Sequence, residues 1–163
     1  MRITSVACCL LTAALSACGG TGASAQSASK TAAALSGEDK VLADKNPQCQ
    51  IFTPAELAKY SGEPLGPGHS AAMGTGCQFS GRSDNASVMI QVAPARYHEP
   101  HKGAAGFKWL PDVGTKGFVE TAMGGWNAGA ISGEKTVVVS VSGPSANEAN
   151  AIALLKETIK RRQ

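Results

Sequence analysis

The chain has 163 residues and a formal net charge of +3, from 15 Lys and Arg against 12 Asp and Glu. Cations and anions nearly balance, and no basic stripe is interleaved with aromatic residues, which argues against nucleic acid as a partner. The length suits one compact domain after an N-terminal segment and is too short for two.

The N-terminus has the pattern of a secretory signal. Arg2 precedes an apolar stretch at residues 6–15, and the small residues Ser16 and Ala17 follow it. The apolar stretch is about half of the ~20 residues that a membrane-spanning helix needs. We therefore predict a signal peptide over residues 1–17 rather than a permanent transmembrane helix.

The four residues "LSAC", which end at Cys18, follow directly. They resemble the bacterial lipobox, in which a Leu and two small residues precede a Cys. The resemblance implies diacylglycerol on the Cys18 sulfur, cleavage before it and acylation of the new amino terminus. Gly19, where Asp would be the alternative, resembles the signal for outer-membrane sorting if the host has two membranes. The competing interpretation is ordinary cleavage beside an incidental Cys.

Residues 19–44 consist largely of Gly, Ala, Ser, Thr and Lys and contain no aromatic residue. Such a composition cannot bury enough apolar surface to offset the entropy lost on ordering. We predict that residues 18–44, which begin with the lipidated Cys, form a flexible tether with an r.m.s. span of about 30 Å. The tether would lift a domain at residues 45–163 clear of the membrane surface.

The cysteines can be sorted by compartment. Cys8 and Cys9 leave with the signal peptide, and Cys18 is acylated, so Cys49 and Cys77 remain as an even pair in an oxidising compartment. A disulfide between them is predicted. The alternative, two catalytic or metal-binding thiols, is weaker because the pair lies outside any C-x-x-C spacing.

Capping signals predict a helix at each end of the domain. Thr53, Pro54 and Glu56 fit the N-cap, first and third helical positions of a capping box, and Gly62 ends that helix. At the C-terminus, "SANEANAIALLKETIKRR" predicts a longer helix, with a second capping box from Ser145 to Glu148.

Between these helices the sequence predicts an antiparallel sheet. In the clearest strand, Val137, Val139 and Val141 face one way. The segment "EPHKGAAGFKWL" is predicted as a weak helix stopped by Pro111. The fold class is therefore α+β, with about five antiparallel strands and a short N-terminal and a C-terminal helix packed on the sheet. The predicted strands are "CQFS", "ASVMIQVA", "GFVETAM", "WNAGAIS" and "KTVVVSVSG".

The whole layout resembles a group of small bacterial lipoproteins of unknown function, known largely from actinobacterial examples. The shared features are the lipobox, the tether, a Cys just before the "TPAEL" helix, a second Cys in "GCQF", and "VVVSV" ahead of the last helix. The resemblance implies the α+β fold and the disulfide. It implies no catalytic residue.

One cluster of potential metal ligands is present. In "YHEPH", His98, Glu99 and His101 carry the side chains that bind zinc or copper. Pro100 prevents the two histidines from sharing a regular helical face, and His69 is the one other His in the chain. We expect a solvated loop there, and no metal or other cofactor, with an envelope metal-binding protein as the alternative function.

No pattern identifies a reaction. "HS" at residues 69–70 lacks the context of a strained nucleophile elbow, and no segment has phosphate-loop spacing. Asp84, Asp112 and Glu120 are scattered, so each is expected on the solvated surface. A hydrolase of envelope polymers remains the alternative from the enzyme class.

Exposed aromatic residues indicate where a partner would bind. Trp126 is expected in the core, and Trp109, just before Pro111, is expected at the surface. Together with His69 and Tyr97, Trp109 defines a candidate partner surface on residues 62–76 and 97–109. We expect a lipid-anchored envelope protein that acts as a non-catalytic binding or scaffolding module, for an envelope protein or a small amphiphile.

The lipobox generates a direct prediction. Intact mass spectrometry should show a mature chain that begins at Cys18 and carries acyl additions, and this chain should partition with membranes. Cys18→Ser should yield a soluble or uncleaved form, because two or three acyl chains are needed for stable anchoring. An unmodified, soluble mature chain would contradict the lipoprotein assignment.

Overall fold

The computed structural model describes residues 45–83, 85–122 and 124–163. The predicted signal peptide, Cys18 and the tether lie outside these residues, so they stay predictions. Asp84 also lies outside. Within the described ranges, no helix is both long enough and apolar enough to cross a membrane.

Within the described residues, the domain has two α-helices and seven strands. The helices are α1 (Pro54–Ser61) and α2 (Glu148–Arg161). The strands are β1 (His69–Ala71), β2 (Gly76–Ser80), β3 (Ser87–Pro94), β4 (Lys108–Leu110), β5 (Thr115–Ala122), β6 (Gly125–Ser132) and β7 (Lys135–Ser142). They form one sheet, in the order β1-β2-β3-β7-β6-β5-β4, with every pair antiparallel.

The α+β class and the antiparallel sheet are confirmed, and the five predicted strands correspond to β2, β3, β5, β6 and β7. The two further strands, β1 and β4, have three residues each and form the two edges of the sheet. Strands this short carry too few residues to show an alternating pattern, so they depend on pairing with a longer neighbour.

The predicted weak helix in "EPHKGAAGFKWL" is wrong. Residues 98–107 form an irregular connection, and the last three residues of the segment are β4. Gly106 has a φ of 66°, which ends any helical path there, and Gly103 has low helix propensity. The connection is instead held by contacts with the sheet, described below.

The capping box of α1 is confirmed. The Thr53 hydroxyl accepts from the Glu56 backbone N–H, the Glu56 carboxylate accepts from the Thr53 N–H, and Gly62 follows in the left-handed conformation. The predicted capping box of α2 is wrong by two residues, because its N-cap is Asn147, whose side chain accepts from the Asn150 N–H. An Asn side chain caps as well as a Ser does, so sequence alone did not separate the two positions.

Both helices pack on one face of the sheet and enclose the core. The second helix lies against β6 and β7, and the first against β3 and β7. The paired valines and isoleucine of the central strands point to this face, as their alternation predicts. These residues are Val88, Ile90, Val92, Val137, Val139 and Val141.

A disulfide joins Cys49 to Cys77, which confirms the predicted pairing. It ties a 3₁₀ turn at Pro47–Gln50 to strand β2, across a sequence separation of 28 residues. Closing a loop of that size removes about 3–4 kcal/mol of chain entropy from the unfolded state in the chain-entropy description. Asn46 adds to the same junction, because its side-chain amide donates to the Gly76 carbonyl at 2.8 Å.

Arg161, in the last turn of α2, joins the two ends of the domain. Its guanidinium donates to the Glu56 and Glu157 carboxylates and to the Ile51 carbonyl, each at 2.9 Å, and it lies over the Phe52 ring at 4.2 Å. The hydrogen bond from Arg161 lowers the pKa of Glu56 from 4.5 to about 2, with further lowering from the hydrogen bonds of Thr53. The same guanidinium lowers the pKa of Glu157.

A pH dependence follows from these carboxylates. Since the pKa of Glu56 is lower in the folded protein than in the unfolded chain, its stabilising contribution is present above about pH 4.5 and is lost as the pH falls towards about 2. We expect Arg161→Met to lower the free energy of unfolding at neutral pH and to flatten its decline over that acid range, measured by urea unfolding. Arg162→Met is the matched control, and an identical acid profile in Arg161→Met and the parent chain would contradict this account.

Candidate functional site

The face of the sheet opposite the helices is partly covered by the connection between β3 and β4. This connection, residues 95–107, begins where the Ala95 N–H donates to the Glu134 carbonyl at the β6–β7 turn. It ends beside β5, where the Ala105 carbonyl accepts from the Thr121 N–H at 2.9 Å. We call it the crossover segment. It crosses the face from β7 to β5 and encloses side chains that would otherwise be exposed.

His98 fixes the first part of the crossover segment. Its Nε2 lies 2.9 Å from the Lys116 carbonyl oxygen, and its Nδ1 lies 2.9 Å from the Thr136 hydroxyl. Because a carbonyl oxygen can only accept, Nε2 carries the proton and Nδ1 of the neutral ring accepts from the hydroxyl. The ring also contacts Phe118 edge-on, with centroids 5.5 Å apart. Both nitrogens of His98 therefore have partners within the protein.

Glu120 fixes the middle of the crossover segment. The residue is 2 % exposed, and its carboxylate accepts from the His101 backbone N–H at 3.1 Å, with His101 Nδ1 at 3.3 Å. The expectation that Glu120 lies on the solvated surface is wrong, because the crossover segment folds over it. A buried carboxylate requires partners of this kind, so Glu120 and His101 hold the segment down.

The three potential ligands of the "YHEPH" cluster do not converge on one point. His98 contacts Thr136 and Lys116, His101 contacts Glu120, and Glu99 is exposed. Within residues 45–83, 85–122 and 124–163, no group of three or more His, Cys, Asp or Glu side chains is placed to hold a metal ion. Zinc binding at this cluster would require breaking the internal hydrogen bonds of His98.

A groove lies between the crossover segment and the edge of the sheet. It has a volume of about 500 Å³. Trp109 of β4 lies beside the groove with 49 % of its surface exposed. Phe107 contacts the Trp109 ring edge-on, with the two ring centroids 5.1 Å apart. We call it the Trp109 groove. It is lined by His98, Pro100, Lys102, Trp109 and Lys116.

The Trp109 groove is cationic. The Lys102 ammonium lies 5.7 Å from the centroid of the Trp109 ring. Lys116 has a φ of 54°, in the irregular part of β5 where the register with β6 shifts. Among the described residues, no carboxylate lies within 4.0 Å of either ammonium group. The groove thus offers an exposed aromatic ring and two unpaired positive charges.

The sequence-derived partner surface is divided by the fold. Trp109 lies on β4 and His69 on β1, at opposite edges of the sheet. Tyr97 is 59 % exposed and immediately precedes His98, so it belongs to the crossover segment. Sequence reasoning missed Lys116 and the burial of Glu120, and it did not single out Lys102 within residues 97–109. No sequence signal marked them, since each acquires its neighbours through the crossover.

The comparisons with known proteins give no family. No protein family matches the chain, and no curated protein has significant similarity to it. The resemblance to small bacterial lipoproteins therefore stays a prediction.

The engaged histidines predict weak metal binding. Because zinc needs an imidazole lone pair and His98 uses its own for Thr136, calorimetric titration of the full chain with zinc and copper should give no stoichiometric sub-micromolar complex. His101→Ala is the control for adventitious binding by an exposed imidazole. A tight complex that is lost in His98→Ala would contradict this prediction and favour the metal-binding alternative.

Proposed function

We propose that this chain is a lipid-anchored cell-envelope lipoprotein that acts as a non-catalytic binding module, and that its binding site is the Trp109 groove. The observation that carries the site is the exposure of Trp109, a large aromatic side chain on a strand, beside two lysines without acidic partners. The anchor is proposed from the lipobox alone.

The environment of Trp109 supports a role in binding. Phe107 holds one side of its ring, and Phe107 in turn stacks on Phe118 with centroids 6.3 Å apart. An aromatic side chain that is already fixed loses little conformational entropy when a ligand covers it, and such residues commonly dominate binding energy. The aromatic stack thus prepares the ring for contact.

The chemistry of the groove favours a ligand with a flat or apolar part and an anionic group. The ring of Trp109 and Pro100 offer apolar contact, while Lys102 and Lys116 offer charge complementarity. The volume of about 500 Å³ is in the range of small-ligand sites. A small anionic amphiphile fits this description best, and an acidic segment of an envelope protein presents the same groups.

The arrangement also supports binding over catalysis. The one imidazole that lines the groove, His98, has both nitrogens in hydrogen bonds to Thr136 and Lys116. A general base needs a free lone pair directed at the reacting group. His98 contributes structure to the groove instead.

Affinity capture with the Cys18-anchored chain from its host, run beside an activity screen on envelope substrates, tests the proposal. Trp109→Ala should reduce affinity for the captured ligand roughly 30-fold, since a central aromatic contact contributes about 2 kcal/mol. The double change Lys102→Glu and Lys116→Glu should abolish capture of an anionic ligand.

The matched control is Lys156→Glu with Lys160→Glu, which removes two exposed lysines from α2. If the Lys102→Glu, Lys116→Glu variant captures as much ligand as this control, the Trp109 groove is not the binding site. Reproducible turnover that one Ser, His or Asp substitution abolishes would show an enzyme and contradict the proposal.

A further inference from the structure

One end of the sheet gathers the connections that lie near the start of the described chain. Strand pairing places the β1–β2 turn, the end of β3 and the β6–β7 turn at this end. Gly76 at the start of β2 pairs with Gln91 near the end of β3. Pro94, the last residue of β3, and Ser132, the last residue of β6, both pair with Lys135. We call it the entry end, and define it as residues 72–75, 95–97 and 133–135 together with Lys45.

The chain enters the domain here. Asn46 is the second described residue, and its side-chain amide donates to the carbonyls of Gly74 and Gly76, at 3.3 and 2.8 Å. The disulfide of Cys49 with Cys77 fixes the next residues to the same strand. The 44 residues that precede Lys45, including Cys18, therefore join the domain at the entry end.

Met73 projects from this end. It is fully exposed, and its backbone is left-handed, with a φ of 52°, as is that of Ala72 with 49°. The left-handed conformation is sterically unfavourable for any residue other than glycine. A non-glycine residue keeps this conformation only where the surrounding structure enforces it. Here Thr75 donates through its hydroxyl to the Ala72 carbonyl at 2.7 Å, and Asn46 holds Gly74. The turn thus keeps an apolar side chain in water at a conformational cost.

Cations and a second exposed apolar side chain lie at the same end of the sheet as Met73. Tyr97 is 59 % exposed, with the Arg96 guanidinium 4.8 Å from its ring centroid. Lys45, Arg96 and Lys135 are exposed cations, and Glu134 is the one acidic residue within the segments that define this end. The β4–β5 turn lies at the same end and adds the exposed acid Asp112, close in sequence to the exposed cation Lys116. Apolar tips among cations are the pattern of proteins that rest on anionic lipid.

The opposite end of the sheet differs. Its connections run through residues 65–68, 81–83, 85–86, 124 and 143–147. The large exposed hydrophobic side chains of the described residues, Met73, Tyr97 and Trp109, are absent from it. Its surface includes Ser83, Asn85 and Pro144, together with one exposed cation, Arg82. The two ends would therefore interact differently with a membrane.

We propose that the entry end docks on an anionic lipid surface, with Met73 and Tyr97 entering the headgroup region and Lys45, Arg96 and Lys135 contacting lipid phosphates. The inference rests on the proposed lipid anchor in one respect, since the anchored chain delivers the domain to the bilayer through this same end. It extends that proposal by giving the domain a fixed orientation, in which the Trp109 groove lies close to the membrane through Lys116 at the start of β5.

Fluorescence quenching by lipids with brominated acyl chains measures this orientation. The full chain, with Trp109→Phe and Trp126→Phe, is given one reporter, either Met73→Trp at the entry end or Asn85→Trp at the opposite end. Each is bound to vesicles of phosphatidylglycerol and phosphatidylcholine. We expect fluorescence to be lost at residue 73 and retained at residue 85, and Arg96→Glu with Lys135→Glu to restore fluorescence at residue 73.

Hydrogen exchange of the unsubstituted chain on the same vesicles is the second measurement, independent of whether the reporter variants fold. Residues 72–75 and 95–97 should gain protection relative to residues 81–83. Quenching or protection that is equal at both ends, or greater at residue 85, would overturn the docking surface.

Vesicle sedimentation and the mass of Cys18 separate this inference from the proposed anchor. A chain that sediments with an acylated Cys18 but shows no difference between the ends retains its anchor and refutes the docking surface. Quenching at residue 73 with an unmodified Cys18 supports the docking surface and refutes the anchor. A chain that does not sediment refutes both.

Discussion

The structure depends on how the two faces of one wide sheet are covered. Seven strands present more surface than two helices can bury, and both helices lie on the same face. Part of the other face is covered by the chain itself, through the crossover segment between β3 and β4. An irregular segment cannot satisfy its own polar groups as a helix does, so it must be held by side chains of the sheet. His98 with Thr136, and Glu120 with the His101 backbone, supply those contacts. The Trp109 groove is the gap left between this segment and the edge of the sheet.

A second set of contacts closes the domain where its two ends meet. Arg161 from the last helix reaches the Glu56 carboxylate, the Ile51 carbonyl and the Phe52 ring, while the disulfide and Asn46 attach the adjoining N-terminal residues to β2. The contact with Glu56 is exposed and contributes modestly, whereas the covalent bond acts on the unfolded chain. Together they hold the first described residues firmly, so that any tether pulls on a rigid part of the fold.

This rigid junction connects the two proposals. A domain carried by a flexible tether would sample many orientations, and a groove on its edge would meet the membrane rarely. If Met73 and Tyr97 rest on lipid, the tether and the docking surface act at the same end and restrict the domain to one orientation. Lys116 belongs to the groove and lies at the start of β5, near that end. An anionic amphiphile leaving the bilayer would then encounter Lys116 first among the residues that line the groove.

The sequence by itself determined those features that depend on near neighbours along the chain: the first helix from Thr53, Pro54 and Glu56, the central strands from alternating valines, and the exposure of Trp109. The pairing of Cys49 with Cys77 was also predicted from the sequence, and the structure confirms it. Tertiary structure decided the rest. The edge strands exist through pairing with β2 and β5, Glu120 is buried because a segment 19 residues earlier folds over it, and His69 and Trp109 lie at opposite edges because of the strand order. Sequence patterns such as capping and alternation determine structure over a few neighbouring residues. Strand order and the path of the crossover segment are set by contacts between residues far apart in the chain. The chain entropy lost in forming those contacts is offset only when the whole sheet forms.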